Sequence, residues 1–337
     1  MQLNHLHGTT ARRNYDLTIA GRTVHLGPRT LVMGVVNVTP DSFSDGGLFL
    51  NPRQAIRHAV EMASQGADWI DVGGESTRPG AAPVSLQEEL RRVLPVIDGI
   101  RQRLPLLPIS IDTTKAEVAE RAIQAGAGIV NDVSGLRFDE GVAKVAAHHR
   151  VPLVLMHIRG RPPSMQQRPF AASICHSVSR GLGWSIRRAT ALGVSRSQLI
   201  IDPGLGFGKT RRQNFEILAR LARLQRFHLP VLVGFSRKSF VQAIVAGESL
   251  DSPIARVKSV PPRAGRENVL AVSAKVKSKR QGRVQQSGKF GALDFGDAAA
   301  AVAAALGGAH IVRIHHVAAI IPSLRVADAV RAAAAAE

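Results

Sequence analysis

Apolar, β-branched runs recur along the chain at 31–38, 68–73, 107–112, 128–131, 151–156, 198–202, 230–235 and 309–314. Each is about the length of a strand buried on both faces, as a parallel sheet requires. Between them, apolar positions at helical spacing mark 52–65, 86–103, 115–125, 140–149, 173–192 and 211–226. Gly66, Gly126 and Gly193 stand just past three of these stretches, where a helix end favours glycine. Eight strand–helix units predict a (β/α)8 TIM barrel. A doubly wound sheet is the alternative, but eight near-equal units favour closure. Upstream, 16–25 alternates around Ala20-Gly21 and predicts a β-hairpin that plugs the N-terminal mouth. Residues 1–30 therefore read as an extension carrying the hairpin, and 31–337 as the barrel.

From about 250 to 295 the pattern breaks. Pro261-Pro262 lead into a stretch dominated by Lys and Arg, and regular helix spacing returns only at 297–306, with Asp297 placed as its N-cap. This segment reads as an exposed, mobile basic insertion within the seventh unit. Charge sharpens the point. The chain carries a formal net charge of +19, and between Arg256 and Lys289 ten basic residues face one acidic residue, Glu267. So about half of the excess sits in one short stretch. Such a stretch predicts weak, nonspecific nucleic-acid affinity through 256–290, without the aromatic residues of a stacking platform.

The remaining composition excludes whole classes. A hydrophobic fraction of 45% with 20% charged residues describes a globular chain rather than a disordered one. No apolar stretch approaches the roughly 18 residues of a membrane span, and the first thirty residues show no secretory h-region. The single cysteine, Cys175, suits a reducing cytoplasm, and no Cys/His spacing suggests zinc.

Chemistry is concentrated where strands end. Thr39-Pro-Asp-Ser-Phe-Ser-Asp45 with Gly46-Gly47 follows the first run. The others are Asp71-Val-Gly-Gly-Glu-Ser-Thr-Arg-Pro-Gly80, Asp202-Pro-Gly-Leu-Gly-Phe-Gly-Lys209 and Ser236-Arg-Lys-Ser239. Parallel α/β proteins place their sites on such loops. Asp112, Asn131 and Asp202 each close an apolar run, so all three are expected on one face. Two carboxylates and an amide match the donor–acceptor edge of an amino-pyrimidinone ring. In a closed barrel the first and eighth strands adjoin, which brings Asn37 together with Arg313 and His315. Arg can grip a phosphate in bidentate fashion, His adds a donor, and an Asn oxygen suits Mg²⁺. Lys and Arg in Ser236-Arg-Lys-Ser239 oppose the dipole of the helix they open, which points to a compensating anion. The glycine run 204–210 fits neither the P-loop pattern nor G-x-G-x-x-G. His148-His149 reads as a solvated pair with no carboxylate placed to make a metal site.

Taken together, these motifs resemble dihydropteroate synthase, the folate-pathway family that joins p-aminobenzoate to a pterin, from about Leu31 to Ala246 and again from Gly296 onward. The resemblance implies that Asp112, Asn131, Asp202 and Lys238 hold the pterin. It implies that Asn37, Thr77, Arg313 and His315 bind the diphosphate, with Mg²⁺ at Asn37. Thr77, Arg78, Pro79, Phe207 and Ser236 would form the p-aminobenzoate pocket, with Arg237 also at the benzoate carboxylate. Asp112, Asp202, Lys238, Arg313 and His315 are the residues expected to carry catalysis. Loops 39–47 and 74–80 would close over the reacting centre, and a homodimer is what the family implies. Two departures stand out. His316 occupies the position where the family has Asp, and the family's Arg and Gly-Thr in the seventh unit give way to the insertion and Gly296-Asp297. Two other readings follow from the same residues: a pterin-binding methyltransferase, which needs no diphosphate clamp, and a catalytically impaired paralogue with nucleic-acid affinity.

Overall fold

The structure is a computed structural model and describes residues 12–39, 52–77, 81–161, 165, 172–251 and 291–334. The basic segment 256–290, most of loop 39–47, and Arg78 and Pro79 lie outside the described residues.

The chain opens with the hairpin β1 (Tyr15–Ile19) and β2 (Arg22–Leu26), antiparallel with Ile19 opposite Arg22. Ala20 and Gly21 both take positive φ, 47° and 76°, which is the turn whose twist matches two-residue hairpins. Then come β3 (Leu31–Asn37), α1 (Pro52–Ser64), β4 (Trp69–Gly73), α2 (Leu86–Arg103), β5 (Ile109–Asp112), α3 (Ala116–Gln124), β6 (Ile129–Asp132), α4 (Gly141–His149), β7 (Leu153–Met156) and α5 (Ile174–Ala191). The second half holds β8 (Leu199–Asp202), α6 (Arg211–Ala219), β9 (Leu232–Gly234), α7 (Ser239–Val245), α8 (Ala292–Leu306), β10 (Ile311–Ile314) and α9 (Val317–Ala334).

The eight long-range strands form one parallel sheet in the order β8-β7-β6-β5-β4-β3-β10-β9. A parallel bridge between Ile201 and Val231 joins its two edges, so the sheet curls into a barrel. Strands fall where the apolar runs predict them. Two helices differ. The stretch 211–226 divides into α6 and a 3-10 helix over Leu221–Phe227. And α8 begins at Ala292, five residues before Asp297, which is therefore inside the helix. The Asp297 carboxylate does not cap its own helix. It accepts from Ser236 Oγ at 2.7 Å and from the Arg237 backbone N–H at 3.2 Å.

Strand alternation sorts the core. Ile70, Val72, Ile109, Ile111, Val130, Leu153, Ile201 and Val312 pack outward among helix residues. The other parity points inward. Met33, Trp69, Ile129, Val154, Ile200, Leu232 and Ile311 fill the lower barrel together with Leu17, Ile19 and Leu26 of the hairpin. The hairpin thus covers the N-terminal end of the strands with its apolar face. Burying those three side chains fully is worth roughly 1.5–3 kcal/mol each, which fixes the extension to the barrel.

Candidate active site

Two residues beyond Trp69, Ile129, Val154, Ile200, Leu232 and Ile311, the same inward parity brings Asp71, Asn131, Met156, Asp202, Gly234 and Arg313. The barrel interior changes from apolar to charged within one step of the pleat. It does so towards the C-terminal ends of the strands, where parallel barrels carry their chemistry.

Arg313 is the hub of this layer. Its Nε donates to Asp71 Oδ2 at 2.6 Å and its Nη2 to Asp112 Oδ2 at 2.7 Å. Asn131 Nδ2 donates to the same Asp71 oxygen at 3.0 Å. Asp71 has no exposed surface, and its Oδ1 is a buried atom without a hydrogen-bond partner. Asp112, Asn131 and Arg313 are candidate site residues by sequence, whereas Asp71 opens a strand-end motif without being one of them. The available signal was its parity with Trp69, two residues earlier. Arg313 was expected to converge with Asn37 and His315. Its guanidinium turns instead across the barrel to β4 and β5, while Asn37 Nδ2 does meet His315 Nε2, at 3.4 Å.

Asp202 stands opposite this group and is pinned by the Gly204 N–H, which donates to Oδ1 at 2.6 Å. Burial raises the pKa of both Asp112 and Asp202. Arg313 opposes the shift at Asp112 and Lys238 opposes it at Asp202. Lys238 lies 4.5 Å above the centre of the Phe207 ring and donates to the Leu205 carbonyl. Burial holds its ammonium down to about 7, against the pull of Asp202. Phe207 in turn packs with Val133, Met156, Ile158 and Met165 into a small apolar cluster above the charged layer. An aromatic ring entering here meets an apolar wall with a cation and two carboxylates at its edges.

The glycine run serves close approach, not a nucleotide. A Cβ on Gly204 would fall 2.0 Å from the His157 carbonyl, and one on Gly208 would fall 2.1 Å from that of Arg159. Lys209 closes the run from beneath. It is fully buried and donates to the carbonyls of Gly204, Phe207 and His157 at 2.6, 3.0 and 3.2 Å, while burial drives its pKa well down. Sequence reasoning missed this pin as well.

The other sequence-derived residues divide by position. Ser236 is buried between Asp297 and His315, whose backbone N–H donates to Ser236 Oγ at 3.2 Å. Thr77 is half-buried at the end of a loop tied down by Glu75, which takes the Val84 N–H and Lys115. Lys115 also holds Glu89 at 2.5 Å. His148-His149 was expected as a solvated pair with no carboxylate placed to make a metal site; His149 is half-buried, and Glu120 of α3 bonds its Nε2 at 2.9 Å. Among the described residues no group of three or more His, Cys, Asp or Glu side chains could hold a metal.

A charged layer of this kind at the C-terminal face of a (β/α)8 barrel defines a barrel enzyme that takes a small, polar, partly anionic substrate. The family model described as "Pterin binding enzyme" matches residues 33–315. Dihydropteroate synthase of Synechocystis sp. is 43% identical over 303 residues, covering 90% of this chain and 91% of its own length. That of Escherichia coli K12 is 40% identical over 299 residues, covering 88% and 90%. Among solved structures, Yersinia pestis dihydropteroate synthase with a sulfonamide drug superposes with a TM-score of 0.76 at 38% identity, covering 94% of this chain and 99% of that one. The Xanthomonas albilineans enzyme with 4-aminobenzoic acid gives 0.75 at 38% identity, covering 95% and 99%. The chain belongs to the dihydropteroate synthase family of pterin-binding enzymes.

Proposed function

We propose that the protein condenses 6-hydroxymethyl-7,8-dihydropterin diphosphate with p-aminobenzoate, giving 7,8-dihydropteroate and diphosphate. The observation that carries this reading is the set of buried polar groups at the strand ends: Asp112 bonded to Arg313 with Asn131 in register beside it, and Asp202 close to Lys238, whose ammonium lies over the Phe207 ring. Relatives solved with 4-aminobenzoic acid and with 7,8-dihydropteroate support the same substrates. They also favour the synthase over the methyltransferase alternative.

In this reading the carboxylates and Asn131 hold the pterin edge, so the ring cannot rotate away from the reacting methylene. Arg313 and His315 take the diphosphate as its C–O bond lengthens, so charge on the leaving group meets fixed donors. The amine nitrogen of p-aminobenzoate is neutral near pH 7 and forms the C–N bond with its own lone pair. Its extra proton leaves afterwards to water or diphosphate, and no strong base is needed. Thr77, Arg78, Pro79, Phe207 and Ser236 would enclose the benzoate.

A divalent cation fits as a companion of the diphosphate rather than as a resident of a prebuilt cage. Asn37 offers one hard oxygen, while the neighbouring carboxylates Asp71 and Asp112 are engaged by Arg313. Mg²⁺ keeps several waters and binds through substrate phosphates, which suits a single protein donor. When bound there it would neutralise charge on the leaving group.

A homodimer would cover exposed apolar side chains on three adjoining helices, including Leu293 and Phe295 of α8 and Val326 and Val330 of α9. No described helix is long and apolar enough to cross a membrane. With the lone free Cys175, this is compatible with a cytoplasmic site of action.

The direct test is product formation by the purified chain with Mg²⁺, alongside Asp112→Asn and Asp202→Asn. Either change replaces a charge-assisted acceptor by an amide and is expected to weaken pterin diphosphate about ten- to hundredfold. Wild-type affinity in both variants would remove this site from the pterin.

A further inference from the structure

Arg237 sits between Ser236 and Lys238 and has a left-handed backbone, φ 57°, unusual for a residue with a long side chain. Such a conformation persists when its surroundings over-determine it. Here both halves of the residue are held from one helix. Asp297 takes the Arg237 backbone N–H at 3.2 and 3.3 Å. Three residues earlier on the same face of α8, Asp294 accepts from His316 Nδ1 at 2.5 Å, and the opposite ring nitrogen, Nε2, meets Arg237 Nη2. A guanidinium can only donate, so Nε2 must be the unprotonated nitrogen and Nδ1 must carry the hydrogen that Asp294 receives.

We propose that Asp294 and His316 act as a two-step tether for the Arg237 guanidinium, making His316 a positioning residue for the carboxylate of the second substrate. By the resemblance, Asp is expected where this chain has His316. A carboxylate there could take Arg237 directly, whereas an imidazole can accept from it only if its other nitrogen is given a partner. Asp294 is that partner. It lies in the first turn of α8, where a carboxylate is favoured by the helix dipole, and it also receives the Gly291 N–H at 2.8 Å. Among the described residues, His58 of α1 also interacts with the imidazole, and Asp297 lies behind the Arg237 backbone. Residue 237 is therefore held through α8, which follows the basic segment in sequence. The inference rests on the proposed function for the identity of the anion, p-aminobenzoate, and on the family resemblance for its place beside Arg237.

Steady-state kinetics on four proteins test it. His316→Leu removes both contacts and is expected to raise KM for p-aminobenzoate about fivefold, as befits a half-exposed charged contact, with kcat and KM for pterin diphosphate unchanged. His316→Asn can both donate to Asp294 and accept from Arg237, and should restore wild-type KM. Asp294→Leu should match His316→Leu, and the double variant should be no worse than either. Unchanged KM for p-aminobenzoate in His316→Leu overturns the proposal, as do additive effects or an equal loss for both substrates. Nitrogen-15 chemical shifts of the His316 ring at pH 8 give a readout that needs no turnover. Protonated Nδ1 with bare Nε2 is expected, and the opposite tautomer sinks the tether. If the wild type makes no dihydropteroate, the functional reading fails while the tautomer still decides the tether.

Discussion

Arg313 Nε and Asp71 Oδ2 are 2.6 Å apart inside the barrel, joined across 242 positions of sequence. Asp112 takes the other arm of the same guanidinium at 2.7 Å. One cation therefore bonds one oxygen of each of two buried carboxylates, while Asp71 Oδ1 has no hydrogen-bond partner among the described residues. On the proposed assignment of Asp112 to the pterin and Arg313 to the diphosphate, each half of the substrate would compete for one member of the Arg313–Asp112 pair.

Asp71 is expected to matter as much as the residues that touch substrate. Asp71→Asn removes half of the support of Arg313 and weakens the acceptor of Asn131. Removing one partner of a buried pair costs about 3–5 kcal/mol at the upper end, and less here because Asp112 remains. A clear loss of Tm and a drop in pterin diphosphate affinity are the expected outcomes. A wild-type Tm with wild-type binding would mean the pair is incidental.

Arg313 should discriminate on phosphate. Arg313→Ala strands two buried carboxylates, so the cleaner variant is Arg313→Lys, which keeps a charge but loses the forked geometry. Calorimetric binding of the diphosphate substrate should weaken by about ten- to hundredfold, with little change for the bare hydroxymethyl pterin. Equal losses for both ligands would show that Arg313 acts only through Asp71 and Asp112.

Lys238 should make substrate binding proton-linked. Burial lowers its pKa to about 7, whereas an unfolded lysine titrates near 10.4. Between these values the unfolded chain binds the extra proton, so stability should rise with pH from about 7 to 10 and be lowest below that window. Lys238→Met should flatten this slope in denaturant titrations. A hydrogen bond donated by Lys238 to the bound pterin favours the ammonium form, so at pH 8 binding of pterin diphosphate should be accompanied by proton uptake at Lys238. Heats measured in two buffers of different ionisation enthalpy detect this, and Lys238→Arg should abolish the difference. Buffer-independent heats for the wild type would show Lys238 already charged.

The basic segment is expected to be separable from catalysis. The chain leaving α7 is anchored before the segment begins, with Arg212 paired to Asp251 at 2.5 Å and Arg211 to Glu248 at 2.6 Å. Long surface insertions cost only about 0.6 kcal/mol per doubling in closure entropy. Replacing 256–290 with a short Gly/Ser linker should leave the barrel folded and dihydropteroate formation equal or faster. Nucleic-acid retention should be weak, vanish by moderate salt, and disappear with the deletion. Loss of folding or of product in the deletion variant would make the segment part of the working structure.

The eight strand–helix units were legible in the amino-acid pattern, which favoured closure over a doubly wound sheet; the Ile201–Val231 bridge shows the closure itself. Eight apolar runs at regular spacing can bury both faces only as parallel strands under helices, and the hairpin turn is written in Ala20-Gly21. The sequence also determined that Asp112, Asn131 and Asp202 share a face, because each ends such a run. Which polar groups pair across the barrel was not legible. Asp71 stands in the same strand-end motif as Thr77, and nothing local shows that it meets Arg313 rather than solvent. Asp297 looks like a helix cap in sequence, yet its carboxylate serves the backbone of Arg237, sixty positions earlier. Lys209 follows a glycine run and could equally be exposed. The reason is common to all three: strand and helix periodicity are local properties of the chain. The partner of a charged side chain is set by which distant element the closed barrel brings within 3 Å of it.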